Sequence, residues 1–209
     1  MYEALKNVKW LGHASFKIEA EGKVIYIDPF KIKNPTPADA ILVTHEHFDH
    51  LSQNDINALA KKGTVIVCPA KAAKELHECR PRKIKKGEIL ELGWVKIEAV
   101  AAYNINKDFH GIDTDKAGYL IDFGGFRYYH AGDTDFIPEM NTLKNVNVAL
   151  LPVGGTYTMN AAEAAQAAAV IGADVSVPMH WGTIIGARKD AEEFKRILGD
   201  KAEILEISA

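Results

Sequence analysis

From Val8 to Phe30 apolar positions gather in two strand-like runs, VKWLGHASFKIEA and KVIYIDPF, joined by the turn residues Glu21-Gly22. That pattern predicts strands in a hairpin or meander. The pattern then changes. AILVTH reads as a buried strand, SQNDINALAKKG as a helix capped by Ser52 and ended by Gly63, TVIVCP as a strand and AKAAKELHECR as a second helix. The order βαβα implies parallel pairing with the helices outside. Strand-like runs return with EILEL, WVKIEAVAAY, AGYLIDF and FRYYHAG, punctuated by Gly124-Gly125. The last third alternates again: strand VNVALLPV, helix NAAEAAQAAAVIG opened by Asn160 and closed by Gly172, strand DVSVPMHW, helix KDAEEFKRILG and strand AEILEI. A meander followed by βαβ, twice over, predicts an α/β (α+β) chain whose residues 1–209 form one domain of two pseudo-duplicated αβ halves. Their sheets would pack face to face with helices outside, as a four-layer αββα sandwich. No residue-level repeat accompanies the duplication.

Composition narrows the class. With 209 residues, 47% of them hydrophobic and 25% charged, the chain can bury a sizeable core. A net charge of −3 argues against a dominant nucleic-acid surface. The one dense basic run, Arg80 to Glu88, reads as a solvated turn. Cys68 and Cys79 form no CxxC pair, and Cys68 lies in an apolar run, which favours a reduced protein over a disulfide scaffold. The N-terminus shows no basic-then-apolar leader, and no apolar stretch approaches the ~18 residues of a membrane helix. The expectation is therefore cytoplasmic, with neither membrane nor nucleic acid as partner and homo-oligomerisation left open.

The densest chemistry is THEHFDHLS, Thr44 to Ser52, which holds three of the eight histidines. The preceding apolar strand places His45, His47, Asp49 and His50 on a loop at its C-terminal end, where ligand sites of α/β folds gather. Imidazole suits zinc and iron, and the added carboxylate marks a water-activating site more than a structural thiolate one. A lone histidine there would be read as a surface or backbone-bonded residue. Three with an aspartate in an H-x-H-x-D-H register are read as metal ligands.

This register resembles the signature of the metallo-β-lactamase superfamily, αββα sandwiches that carry one or two metals. YIDPF puts Asp28 where that family has an acid bracing the metal loop, HAGDTD puts Asp133 at its metal-bridging carboxylate, and VPMHWGT puts His180 at its last histidine ligand. The combination LGHASF, IDPF, YHAGDT and PMH is similar to the small hydrolase branch that includes ascorbate-6-phosphate lactonase-like proteins. The resemblance implies that His45 and His47 hold one metal with a further histidine, that Asp49, His50 and His180 hold a second, and that Asp133 bridges both. Such a pair, zinc first, with manganese or iron fitting the same ligands, would activate a shared hydroxide that Asp49 orients as the catalytic carboxylate.

One departure stands out. Where the branch has a ligand histidine after the strand ending in Tyr103, this chain has Asn104. His110, six residues on, is the expected replacement, with Asn104 or water as the alternative. His13 and His130 flank the site and read equally well as substrate or carboxylate partners and as buried, hydrogen-bonded residues. Tyr157 and Thr158 follow a glycine turn and can line a pocket, Trp181 can be a substrate wall or core, and His77 reads as a surface residue.

The function expected is metal-dependent hydrolysis of a small phosphorylated or lactone-containing metabolite. Antibiotic hydrolysis is disfavoured, because the secreted β-lactamases of that fold carry a leader and a cysteine ligand. A phosphodiesterase or nuclease is the alternative enzyme, with the missing basic surface against it. A non-hydrolytic iron or metal-binding protein is the alternative outside hydrolysis.

Overall fold

The computed structural model describes residues 3–208. Strands β1 (Val8–Gly12), β2 (Ser15–Ala20), β3 (Lys23–Ile27), β4 (Ala38–Leu42), β5 (Ala60–Cys68) and β6 (Arg82–Lys83) lie in that order in one six-stranded sheet. Strands β7 (Ile89–Glu91), β8 (Lys96–Val100), β9 (Gly118–Phe123), β10 (Phe126–His130), β11 (Val148–Pro152) and β12 (Val175–Met179) form a second, ordered β12-β11-β10-β9-β8-β7. Each sheet begins as an antiparallel meander and finishes with parallel strands.

Period-two alternation sorts the side chains. Ile25, Ile27, Ala40, Leu42 and Val67 join Ile97, Ala99, Tyr119, Ile121 and Tyr129 of the second sheet in one core between the sheets. The alternate residues Tyr26, Ile41, Val43, Ile66 and Cys68 form the outer core of the first sheet with Ile56, Leu59, Ala72 and Leu76. Those last four belong to helices α1 (Gln53–Leu59) and α2 (Ala72–Glu75) and to the residue after α2. On the far side, α3 (Ala161–Ile171) and α4 (Arg188–Leu198) pack on β11 and β12. Covered on both faces, β11 and β12 are buried at every residue. The expected αββα layering follows.

Caps fall where the sequence puts them. Ser52 accepts from Asp55 N, and Asn160 and Glu163 form a reciprocal capping box that opens α3. Gly172 closes α3 at φ 67°.

Four elements depart from expectation. The strand from Val8 to Ala20 breaks at Gly12-His13-Ala14, because Gly12 and His13 turn left-handed (φ 104° and 51°). The His13 carbonyl there accepts from Trp10 Nε1 and from His180 N. α1 ends at Leu59 instead of Gly63: Lys61 and Lys62 offer nothing to bury, and Ala60 pairs with Ala38 instead. α2 keeps four residues of the eleven expected, since only Ala72 and Leu76 of that segment are buried and so short a helix depends on packing. AEILEI forms no full strand. It makes one bridge to Ser176 of β12, and Ser208 N then reaches Trp10 O of β1, so the segment serves both sheets and pairs along neither. Cys68 and Cys79 are free thiols. No helix among the described residues is long and apolar enough to cross a membrane.

Candidate metal centre

Parallel strands end together, so their C-terminal loops meet. β3 delivers Asp28, β4 delivers Thr44 to His50, β10 delivers Asp133 and β12 delivers His180 to one place. Of the eight non-glycine residues with left-handed backbone among the described residues, His13, Asp28, His110 and His180 all lie here, a concentration of strain typical of functional sites.

Asp28 is the anchor. Fully buried, it accepts from Thr44 N (2.7 Å) and Thr44 Oγ1 (2.6 Å), and its Oδ2 lies 2.7 Å from His50 Nδ1. That contact leaves His50 Nε2 facing inward. Three groups of ligand atoms gather within 4.8 Å of one another: His45, His47 and His110; His13, Asp49, His50 and His180; and His45, His50 and Asp133. In the first group, His47 Nδ1 lies 3.1 Å from His45 Nε2 and 3.3 Å from His110 Nε2. Nitrogens each ~2.05 Å from one tetrahedral ion would stand about 3.3 Å apart, so the spacing fits a shared cation.

Asp133 stands between the groups. Its Oδ2 lies 3.4 Å from His110 Nε2 and 3.9 Å from His45 Nε2, while its Oδ1 lies 3.1 Å from His180 Nε2 and 3.3 Å from His50 Nε2. Despite these distances Asp133 Oδ1, His50 Nε2 and His180 Nε2 are buried without a hydrogen-bond partner. Three buried polar atoms without partners, pointing at one space, are what a cation would satisfy.

The departure from the family pattern resolves at Asn104. Its side chain does not enter the cluster. Asn104 Oδ1 contacts His110 Nδ1 at 2.9 Å, Asn104 Nδ2 donates to Asp135, and Asn104 N donates to the His110 carbonyl. The loop excursion thus carries His110 back into the cluster, and Asn104 sets its ring with Nε2 inward. His110→Ala should therefore weaken binding at the first group by about 10²-fold or more, and Asn104→Ala, which removes only the brace, by about tenfold. Titration with a competing chelator reads both, and the reverse ranking would give the ligand place to Asn104.

Asp49 Oδ2 is 2.9 Å from His13 Nε2. Burial opposes ionisation of Asp49, but His13 and His50 hold its carboxyl down at about 2. Burial lowers His13, His45, His47 and His110, the last to about 4, so these rings are neutral near pH 7 with a lone pair to offer. His50 is the exception. Burial would lower it, yet Asp133 and Asp28 raise it well above the usual histidine value. A cation at this group must displace that proton, so affinity should strengthen as pH rises, about tenfold per pH unit while one proton is released. Metal affinities measured between pH 6 and 8 would show it, and a flat profile would contradict it.

Other expected residues separate. Tyr157 lines the cavity of about 310 Å³ in front of the cluster. His130 stands apart: its Nε2 lies 2.8 Å from Ala14 O and its Nδ1 accepts from Gly132 N, so it ties β10 to the His13 turn. Trp181 is core, its ring 4.7 Å from that of Trp10. Thr158 is buried and gives its carbonyl to Lys107, and His77 is on the surface. Sequence reasoning missed Thr44, Asp135 and Lys116. Thr44 had a signal in its place beside His45. Lys116 had none: its ammonium is buried, 3.3 Å from His47 Nε2 and 3.9 Å from Glu46, and burial pushes it down to about 8.

Residues 7–180 match the family described as "Beta-lactamase superfamily domain". A UPF0173 metal-dependent hydrolase of Thermococcus onnurineus is 37% identical over 215 residues, covering 95% of each chain. The crystal structure of a Parabacteroides distasonis protein is 33% identical, with a TM-score of 0.86 over 96% of this chain and 93% of the other. A metallo hydrolase of Ignicoccus hospitalis is 26% identical, with a TM-score of 0.81 over 97% and 95%. The narrower lactonase-like resemblance is not what these relatives are named for. Matched in fold and over nearly its whole length, the chain belongs to the metallo-β-lactamase superfamily and, within it, to the UPF0173 family of metal-dependent hydrolases.

Proposed function

We propose that this hydrolase works with two divalent metal ions on the acyl bond of a small metabolite. His45, His47 and His110 would hold one ion, Asp49, His50 and His180 the other, and Asp133 both. The observation that carries the reading is Asp133, whose two oxygens are turned to different ligand groups and whose Oδ1 has no hydrogen-bond partner. Zinc fits the imidazole-rich groups, and manganese or iron would fit the same mixed donors. When bound, the ions would acidify a water and polarise the substrate carbonyl. The protein's own part is positional. Asp49, oriented by His13 at its Oδ2, would share its carboxylate between the ion and the water, taking the water's proton and passing it to the leaving group. Asp28 and Thr44 fix the loop, and Asn104 fixes His110.

Elemental analysis of protein purified with metal supplementation should find close to two transition metals per chain. A screen over lactones, esters, thioesters and phosphodiesters should find acyl hydrolysis. Absence of bound metal refutes the proposal. Preferred turnover of phosphodiesters would favour a phosphodiesterase or nuclease, and oxygen consumption without hydrolysis would favour an iron protein.

A further inference from the structure

Beyond the ligands, what the loops present to the cavity is apolar. Phe48 follows His47, Phe109 precedes His110, and Tyr157, Ile184 and Ile185 come from the loops after β11 and β12; all five line it. Phe48 is 69% exposed, Phe109 49% and Ile184 42%. Large apolar side chains gathered on one rim are unfavourable in water and mark a surface that a ligand covers. The rings are held as walls: Phe109 packs edge-on to Tyr157 with centroids 4.8 Å apart, and Phe48 edge-on to Phe30 at 6.0 Å.

Charge points the same way. Among the described residues lining the cavity there is no lysine or arginine. Neither lysine of the loop between β8 and β9 lines the cavity: Lys116 packs against His47 and Glu46, and Lys107 against Asp135 and the Thr158 carbonyl. Ions in the ligand groups would serve the reacting carbonyl. A phosphate or second carboxylate remote from it needs its own arginine, lysine or helix N-terminus, and here it would meet two phenyl rings, two isoleucines and, as the one polar group, the neutral Tyr157 phenol.

We infer that the substrate is an electrically neutral ester or lactone with a short apolar chain or ring on its acyl side, and that it carries no phosphate. The inference rests on the hydrolase proposal and narrows it, keeping the lactone and setting aside the phosphorylated metabolite of the two expected from the sequence. In the reaction the oxygen of water forms the new bond to the acyl carbon and the acyl–alkoxy bond breaks. One water proton passes through Asp49 to the leaving alkoxide, and the other stays on the acid product. The cavity, about 310 Å³, is at the small end of ligand pockets, roughly 300–1,000 Å³, which keeps the apolar group short.

The test uses the metal-loaded enzyme and two readouts. In turnover, kcat/KM for p-nitrophenyl hexanoate should exceed that for the acetate at least tenfold, and should exceed that for the mono-p-nitrophenyl ester of adipate, its anionic match, by as much. Ile184→Arg, at an exposed position, should reverse the second preference by giving the carboxylate a partner. In binding, calorimetry should show hexanamide held at least tenfold more tightly than acetamide, with Ile184→Ala reducing the gap. Equal kcat/KM for hexanoate and acetate, preference for the adipate ester, or equal amide affinities would overturn the inference. Tight hexanamide binding with no ester turned over would leave the neutral apolar ligand class standing and refute the hydrolase proposal instead.

Discussion

Asp133→Ala is expected to strip both ligand groups of metal and to lower turnover by at least about 10³-fold, some 4 kcal/mol of transition-state stabilisation. The reason is geometric. Among the described residues no other carboxylate faces both groups, and each Asp133 oxygen lies within 3.4 Å of at least one inward-facing ring nitrogen. The same side chain offsets the positive field of its surroundings: burial would raise its carboxyl, yet His180 and His50 hold it well below the usual carboxylate range. Removing it leaves histidines facing one another, so cations would enter a site with one fewer negative charge. Elemental analysis should fall from near two ions per chain to below one. Retention of two ions would show that the groups are independent and that Asp133 is only a neighbour.

Asp49 is expected to matter through chemistry as well as through binding. Asp49→Ala should cost both an ion of the second group and turnover. Asp49→Asn, which keeps an oxygen for His13 or a cation, should retain more metal and still lose about 10²–10⁴-fold in kcat, the range for a lost general base. The carboxyl sits at about 2, so the wild-type group stays ionised through the neutral range and its loss cannot be mimicked by mild acid. The fold should tolerate both changes, since Asp49 lies on a loop and is partly exposed. Full activity of Asp49→Asn would remove it from proton transfer and leave it as a ligand or a partner of His13 alone.

How much of this was legible beforehand depends on how far apart the cooperating residues lie. The H-x-H-x-D-H loop, the Asn160 capping box and the Gly172 stop are local patterns, decided by residues a few positions apart, and the structure has them where the sequence puts them. The apolar runs likewise marked β3, β4 and β5 as strands, and because both their faces are apolar only the structure sorted Ile25, Ala40 and Leu42 from Tyr26, Ile41 and Val43. Shorter range failed where burial was thin. AKAAKELHECR has helix-forming composition but only two buried residues, and AEILEI has strand-like alternation but two different sheets to serve.

The sequence by itself determined the architecture and the strand-end loop that carries His45, His47, Asp49 and His50, because strand order and local caps bring parallel C-terminal ends together, while Asp133 and His180 were expected there from the family resemblance. Only the tertiary structure decided which nitrogen of each histidine turns inward, since that rests on contacts such as Asp28 with His50 and Asn104 with His110, spanning 22 and 6 residues. It also separated His130 from the site and brought His13 to Asp49 across 36 residues. The apolar walls needed it most: Phe48, Phe109, Tyr157 and Ile184 come from four separate loops, only Tyr157 among them was expected to line a pocket, and their convergence on one cavity gives them a common task.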